Sequence, residues 1–213
     1  MRTLSKTKQK TIYELCIETA KQSPCKKMGF STALYDFRQD RIVGCYNNHP
    51  LPETQYVCSG ECIRNSIPSR THSMIGACFH SEEFAMSEAL KKGLPLSYCG
   101  LFVAGVDING VPYTKKSIDF TCIRCASAML LHGFLGIHVW YKDEWRFITS
   151  SEAYKVGMNY AMGTLKIVDG VNPQVAEPDD MQSVKVVESD WLKDTYQPCP
   201  EPDGWAKRLA RRV

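Results

Sequence analysis

The stretches HSEEFAMSEALKKG at residues 80–93, YCGLFVAGV at 98–106 and CIRCASAMLLH at 122–132 decide the fold class of this 213-residue chain. In the first, Phe84, Ala85, Ala89 and Leu90 recur at helical spacing, acids come early, lysines come late and Gly93 ends the run, which predicts a helix over Ser81–Lys92. The second is continuously apolar between Pro95 and the turn Asp107-Ile108-Asn109-Gly110, which predicts a buried strand over Tyr98–Val106. The third opens another helix, Cys122–His132, with Met129, Leu130 and Phe134 among its core residues. Further on, Ile137–Tyr141 reads as a strand, Ser151–Ala161 as a helix capped by Ser150 or Ser151, and Leu165–Val168 as a short final strand. Towards the N-terminus, Ile12, Leu15, Cys16 and Ala20 place an amphipathic helix over about Lys10–Lys21. Phe30–Tyr35 and Arg41–Tyr46 form a hairpin across the turn Asp36–Asp40. Strands alternating with helices imply a sheet between helical layers, at least partly parallel.

Composition narrows the class of protein. Hydrophobic residues at 44% and charged residues at 23% describe a globular chain with a core, not a disordered one. A net charge of +3 gives the whole molecule no strong pull on polyanions, although basic residues gather at Arg2, Lys6, Lys8 and Lys10 and at Lys207, Arg208, Arg211 and Arg212. The N-terminal residues lack the apolar core of a signal peptide and no stretch approaches a membrane span, so a cytoplasmic protein with reduced thiols is expected. Ten cysteines then point to metal binding or chemistry for some of them, and to plain buried residues for Cys16, Cys45 and Cys99. After Gly170, five prolines interrupt every pattern, so residues 1–170 read as the functional domain and 171–213 as an extension.

The chemistry gathers at two helix starts. His80 with Cys122 and Cys125 offers one imidazole and two thiolates, three ligands for a zinc ion with a fourth position left for water, as in a catalytic rather than a structural site. First-turn N–H groups and the positive end of the helix dipole favour thiolate over thiol. Glu82, two residues beyond His80, stands beside the metal without ligating it and can carry protons between water, a ring nitrogen and a departing amine. An H-x-E followed by a P-C-x-x-C is the signature of zinc nucleobase deaminases, and this chain carries it with Thr121 at the proline position. A bland reading, two buried cysteines and an unrelated helix start, stands beside it.

On these residues the chain resembles the cytidine/deoxycytidylate deaminase superfamily, and within it the deoxycytidylate (dCMP) deaminase branch. The likeness runs from the first helix to about Val168 and includes Arg41-Ile42-Val43-Gly44-Cys45-Tyr46-Asn47-Asn48, similar to the G-Y-N-G segment of that branch, and Cys62–Ser69, similar to an insertion of bacterial and phage members. The resemblance implies a three-layer α/β/α cytidine deaminase-like fold with a mixed five-stranded sheet. It implies catalytic Zn2+ on His80, Cys122 and Cys125, proton transfer by Glu82, and Asn47 on the substrate's sugar. It also implies a homo-oligomer, from dimer to hexamer, and regulation by dCTP and dTTP. The chain departs from the family pattern at Thr121 (usually proline), Ser81 (usually alanine), Asn48 (usually glycine) and in a long polar segment from Asp107 to Phe120.

The long stretch Asn47–Ile75, with three prolines and no clear period, has little apolar content to hold it. Cys58, Cys62, His72 and Cys78 are candidates for a second, structural zinc there, since a metal would supply the missing folding energy; scattered loop residues are the competing reading. The expected activity is conversion of dCMP to dUMP and ammonia on a free nucleotide. A deaminase of tRNA or single-stranded DNA, using the basic tails and the 107–120 segment, is one alternative; a nucleotide-binding, inactive relative is the other.

Overall fold

A computed structural model describes residues 4–58, 60–62, 64–65, 78–113, 121–141 and 143–158. All of them belong to the first of two units, Met1–Asp179. The expected boundary between residues 170 and 171 lies outside the described residues, as does Leu165–Val168.

Helix α1 (Lys6–Lys21) begins at Ser5, whose Oγ accepts the N–H of Lys8 at 3.3 Å. Its buried face is Ile12, Cys16, Ile17 and Ala20, with Tyr13 packed at the edge. The stripe is turned towards Ile17, and Leu15, expected on it, sits at the rim. Strands β1 (Gly29–Asp36) and β2 (Arg41–Asn47) form the expected hairpin, with Asp36 paired to Arg41 and Ser31 to Asn47. The turn closes when Asp36 Oδ1 accepts the N–H groups of Arg38 and Gln39 at 2.9 and 3.2 Å. Two short strands follow, β3 (His49–Pro50) and β4 (Cys78–Phe79), paired antiparallel.

Helix α2 (Ser81–Lys91) buries Ser81, Glu82, Ala85, Met86 and Ala89. Met86 takes the place expected for Leu90, which is exposed. Strand β5 (Cys99–Val106) is buried along its whole length, as a central strand with both faces covered must be. Leu101 and Val103 face one core with Ala85, Met86, Ala126 and Met129, whereas Phe102, Ala104 and Val106 face another with Ile12, Cys16 and Ala20. That alternation gives three layers: α1 below the sheet, and α2 with helix α3 (Ile123–His132) above it. Gly133 ends α3 in the left-handed region at φ 74°, which glycine adopts without strain.

The sheet order is β2-β1-β5-β6-β7, with β6 at Gly136–Tyr141 and β7 at Glu144–Thr149. Among the described strands only β5 and β6 run parallel, with Gly100 opposite Gly136 and Val103 opposite Val139, and α3 is carried in the connection between them. Among the described residues the sheet is thus mixed and five-stranded, as expected, with β7 as its fifth member. Two residues hold β7: Asp143 turns the chain at φ 62°, and Trp145 packs edge-on to Phe102 at 5.1 Å while its Nε1 donates to the Gln9 carbonyl at 3.0 Å. A helical segment at 150–158 follows. No helix among the described residues is long and apolar enough to cross a membrane.

Candidate metal centre

Two helix N-termini meet at the site, and each begins on a residue that could hold a metal ion. His80 is the N-cap of α2, and Cys122 is the N-cap of α3, where its sulfur accepts the Cys125 N–H at 3.5 Å. Cys125 lies in the first turn of α3 and is fully buried. His80 Nδ1 is 3.3 Å from the sulfur of Cys122 and 3.3 Å from that of Cys125. One ligand atom from each of the three lies within 4.8 Å of the other two, the only such group of three or more found among the described residues. That spacing suits a tetrahedral ion with bonds of about 2.0–2.1 Å to nitrogen and about 2.3 Å to sulfur, and an imidazole with two thiolates suits zinc.

The ladder β3–β4 delivers His80 to this point. His49 pairs with Phe79, the residue before His80, and the His49 ring stacks on Phe84 of α2 at 4.0 Å. The same ladder ties Asn47 to the metal segment: Asn47 Oδ1 is 3.0 Å from His49 Nδ1, and its Nδ2 donates to the Thr19 carbonyl at 3.4 Å. Asn48, where a glycine was expected, has a structural task. Its Oδ1 accepts from Phe30 N at 2.6 Å and from Ser23 Oγ at 2.9 Å, and its Nδ2 donates to the Met28 carbonyl at 3.2 Å.

Glu82 is 7% exposed, and its charge bears on both His80 and Cys125. Ser81 Oγ, in place of the expected alanine, is 3.3 Å from Glu82 Oε2 and 2.7 Å from Thr32 Oγ1 on β1. The first turn of α2 is therefore anchored to the sheet through hydroxyl groups.

The three side chains share protons in a defined way. A hydrogen bond from Cys125, reinforced by His80 against the opposing effect of burial, lowers Cys122 to about 4. Burial works against a charged His80, yet the hydrogen bond and charge of Cys122, with the charge of Glu82, raise it to about 9. Cys125 is pushed well up by its hydrogen bond to Cys122, by burial and by the charge of Glu82. At neutral pH, Cys122 is thus a thiolate, while His80 and Cys125 each hold a proton that a metal must displace. Zinc added to metal-free protein at pH 7 is expected to release about two protons, one from His80 and one from Cys125. Affinity therefore rises with pH, by about tenfold per unit for each proton displaced. A pH indicator in weak buffer measures the release; fewer than about one proton per zinc would contradict this arrangement.

Sequence reading missed two neighbours. Glu83 accepts the His80 N–H at 2.8 Å and is gripped by Arg124, whose Nε donates at 2.7 Å and whose Nη2 donates to the other oxygen. The available signal was a glutamate at the third helical position, where it closes a capping box. Cys25 was the other. It lies in hydrogen-bond contact with Cys78, a contact that lowers it to about 5. Of the residues expected in a second metal site, Cys62 is buried and Cys78 half-buried, while His72 and the side chain of Cys58 lie outside the described residues. His138 is no ligand. It is buried, stacked on Phe102 at 4.0 Å, and pushed down to about 3 by burial, so it serves as a neutral aromatic core residue.

No family model and no curated protein matches the chain. Among solved structures it is similar to cytidine deaminase from Burkholderia pseudomallei, at 13% identity over 70% of this chain and 96% of that chain, with a TM-score of 0.45. It is also similar to cytidine deaminase from Mycobacterium tuberculosis, at 15% identity over 65% and 88% with a TM-score of 0.38. Cytidine deaminase from Mycobacterium leprae matches at 14% identity over 65% and 91%, with a TM-score of 0.38.

Proposed function

We propose that the chain is a zinc-dependent hydrolytic deaminase of a cytosine nucleotide, converting dCMP and water to dUMP and ammonia. The observation that carries this reading is the convergence of His80, Cys122 and Cys125 on one point, with the buried carboxylate of Glu82 on the adjoining helical turn. Three protein ligands leave one position of a tetrahedral ion for water. A zinc ion held by His80, Cys122 and Cys125 would lower the pKa of a bound water from about 15.7 to around 7.

The protein's own groups do the rest. Glu82 takes a proton from the attacking water and passes it to the ring nitrogen beside C4; it then takes the proton of the new C4 hydroxyl and gives it to the amine as the C4–N bond breaks and the C4 carbonyl forms. Burial keeps competing water from its carboxylate, and the Ser81 hydroxyl restrains one oxygen. Asn47 is the proposed sugar contact: an amide oxygen has two lone pairs, so one can face the His49 ring and the other a sugar hydroxyl.

Further parts of the reading are proposals of the same kind. They are a structural zinc on Cys58, Cys62, His72 and Cys78, assembly as a homo-oligomer, regulation by dCTP and dTTP, and a cytoplasmic location. Zinc analysis decides the first, since a content near one per chain removes it.

The segment from Asp107, with the basic tails, was the motive for a nucleic-acid substrate. Its described part turns back on β5: Asp107 Oδ1 accepts from Asn109 and Val111, each at 2.9 Å, and Tyr113 N donates to the Gly105 carbonyl at 2.8 Å. The activity is tested by following ammonia from zinc-loaded protein given dCMP, CMP, deoxycytidine, dCTP and a 5-substituted dCMP. Release is expected with dCMP above the others. Failure to turn over any cytosine nucleotide rejects the proposal.

A further inference from the structure

We propose that the Glu83–Arg124 ion pair is the positioning device of the metal centre, locking the helix that carries His80 to the helix that carries Cys122 and Cys125. The inference rests on the reading of those three residues as metal ligands, and it concerns groups that bind no metal themselves.

The two ligand sets are far apart in sequence, 42 residues from His80 to Cys122, and they come from different helices. Each helix presents its positive end to the site, so the two N-termini repel when nothing negative lies between them. Glu83 supplies that negative charge. Its Oε2 accepts the backbone N–H of His80 at 2.8 Å, and both its oxygens accept from Arg124, through Nε at 2.7 Å and through Nη2. Arg124 stands between the two cysteines in the sequence, and its charge acts on both sulfurs. One carboxylate therefore joins the backbone of the first ligand to the residue between the other two.

The chemistry of the pair suits a clamp. A guanidinium and a carboxylate joined by two parallel bonds fix angle as well as distance, which a lysine at the same place cannot do. The side chains are only 28% and 21% exposed, and the guanidinium also lies 5.7 Å from the centre of the Phe79 ring, next to His80. Phe79 in turn packs against Phe84 of α2 at 6.1 Å. Arg124 thus reaches the His80 segment on its polar side and on its apolar side.

The test uses the full chain and zinc itself. Zinc affinity is measured at one pH by competition with a chromophoric chelator for the wild type, Glu83→Gln, Arg124→Lys, Arg124→Gln and the double variant Glu83→Gln/Arg124→Gln. Melting of each metal-free protein is followed alongside. Arg124→Lys keeps the charge and the stem over Phe79, so it tests the two-pronged geometry without endangering the fold. Each single variant is expected to weaken zinc binding about 10–100-fold, the usual effect of losing a group that orients a metal ligand. The double variant is expected to lose little beyond the worse single one, because the two residues act as a unit. Affinities of Glu83→Gln and Arg124→Lys within about threefold of wild type would overturn the clamp, as would fully additive losses in the double variant. A lowered melting temperature with unchanged zinc affinity would also overturn it, by showing a role in stability alone. If the wild type itself binds no zinc, the ligand reading fails and the clamp with it, whereas tight wild-type binding with unaffected variants fails the clamp only.

Discussion

Glu82→Ala is expected to lower ammonia release by at least about 10²–10⁴-fold, the usual worth of a positioned general acid and base, while leaving the metal in place. The carboxylate is 7% exposed, sits two residues from His80, and is within reach of the Ser81 hydroxyl. It has no part in the cluster of ligand atoms formed by His80, Cys122 and Cys125, so its removal takes away a proton carrier and not a metal ligand. Glu82→Gln keeps the volume and one hydrogen-bonding oxygen and should be as inactive, which separates proton transfer from packing. Turnover and zinc content measured on the same samples make the check. Persistent turnover in both variants would move the proton transfer to another group.

Cys125→Ala is expected to remove both the metal and the activity. The sulfur lies 3.3 Å from His80 Nδ1, and without it only His80 and Cys122 remain, too few to hold zinc in a three-ligand site. The fold should survive, since exchanging one sulfur for a hydrogen in a core position costs about 1 kcal/mol, a typical value for a point substitution. Cys99→Ala is the matched control. Cys99 is equally buried, but its sulfur faces the Pro95 carbonyl at 3.6 Å on the opening turn of β5, away from the ligands. Zinc content per chain, compared between the two variants, is expected to fall by one in Cys125→Ala and to stay unchanged in Cys99→Ala. Equal zinc content in both would remove Cys125 from the ligand set.

Local pattern carried much of the architecture. The helix over Ser81–Lys91 was legible because acids, lysines and Gly93 mark its ends, and β5 because Pro95 and the Asp107–Gly110 turn bracket an apolar run. The His-x-Glu and Cys-x-x-Cys segments were legible because each sits at a helix start. What escaped depended on partners distant in sequence. Strand β7 lacks an Asn-Gly or Asp-Gly hairpin signal, and it is held by Trp145 against Phe102 and Gln9, residues no local window contains. The two-residue ladder of β3 and β4 is too short to show a period, yet it aligns His49 with Phe79. Leu15 and Leu90 matched a helical stripe but lie at its rim, because the sheet selects which side of each stripe is covered. Arg124 gripping Glu83 and Cys25 meeting Cys78 likewise exist only after folding.

The proposed activity requires that one ion be held by His80, Cys122 and Cys125. Anomalous diffraction at the zinc edge, from crystals of the zinc-loaded full chain, tests this most directly. The expected result is a peak bonded to His80 Nδ1 at about 2.0–2.1 Å and to the two sulfurs at about 2.3 Å, with its fourth ligand not from the protein. A zinc-loaded crystal with no peak within bonding distance of those three atoms would contradict the account.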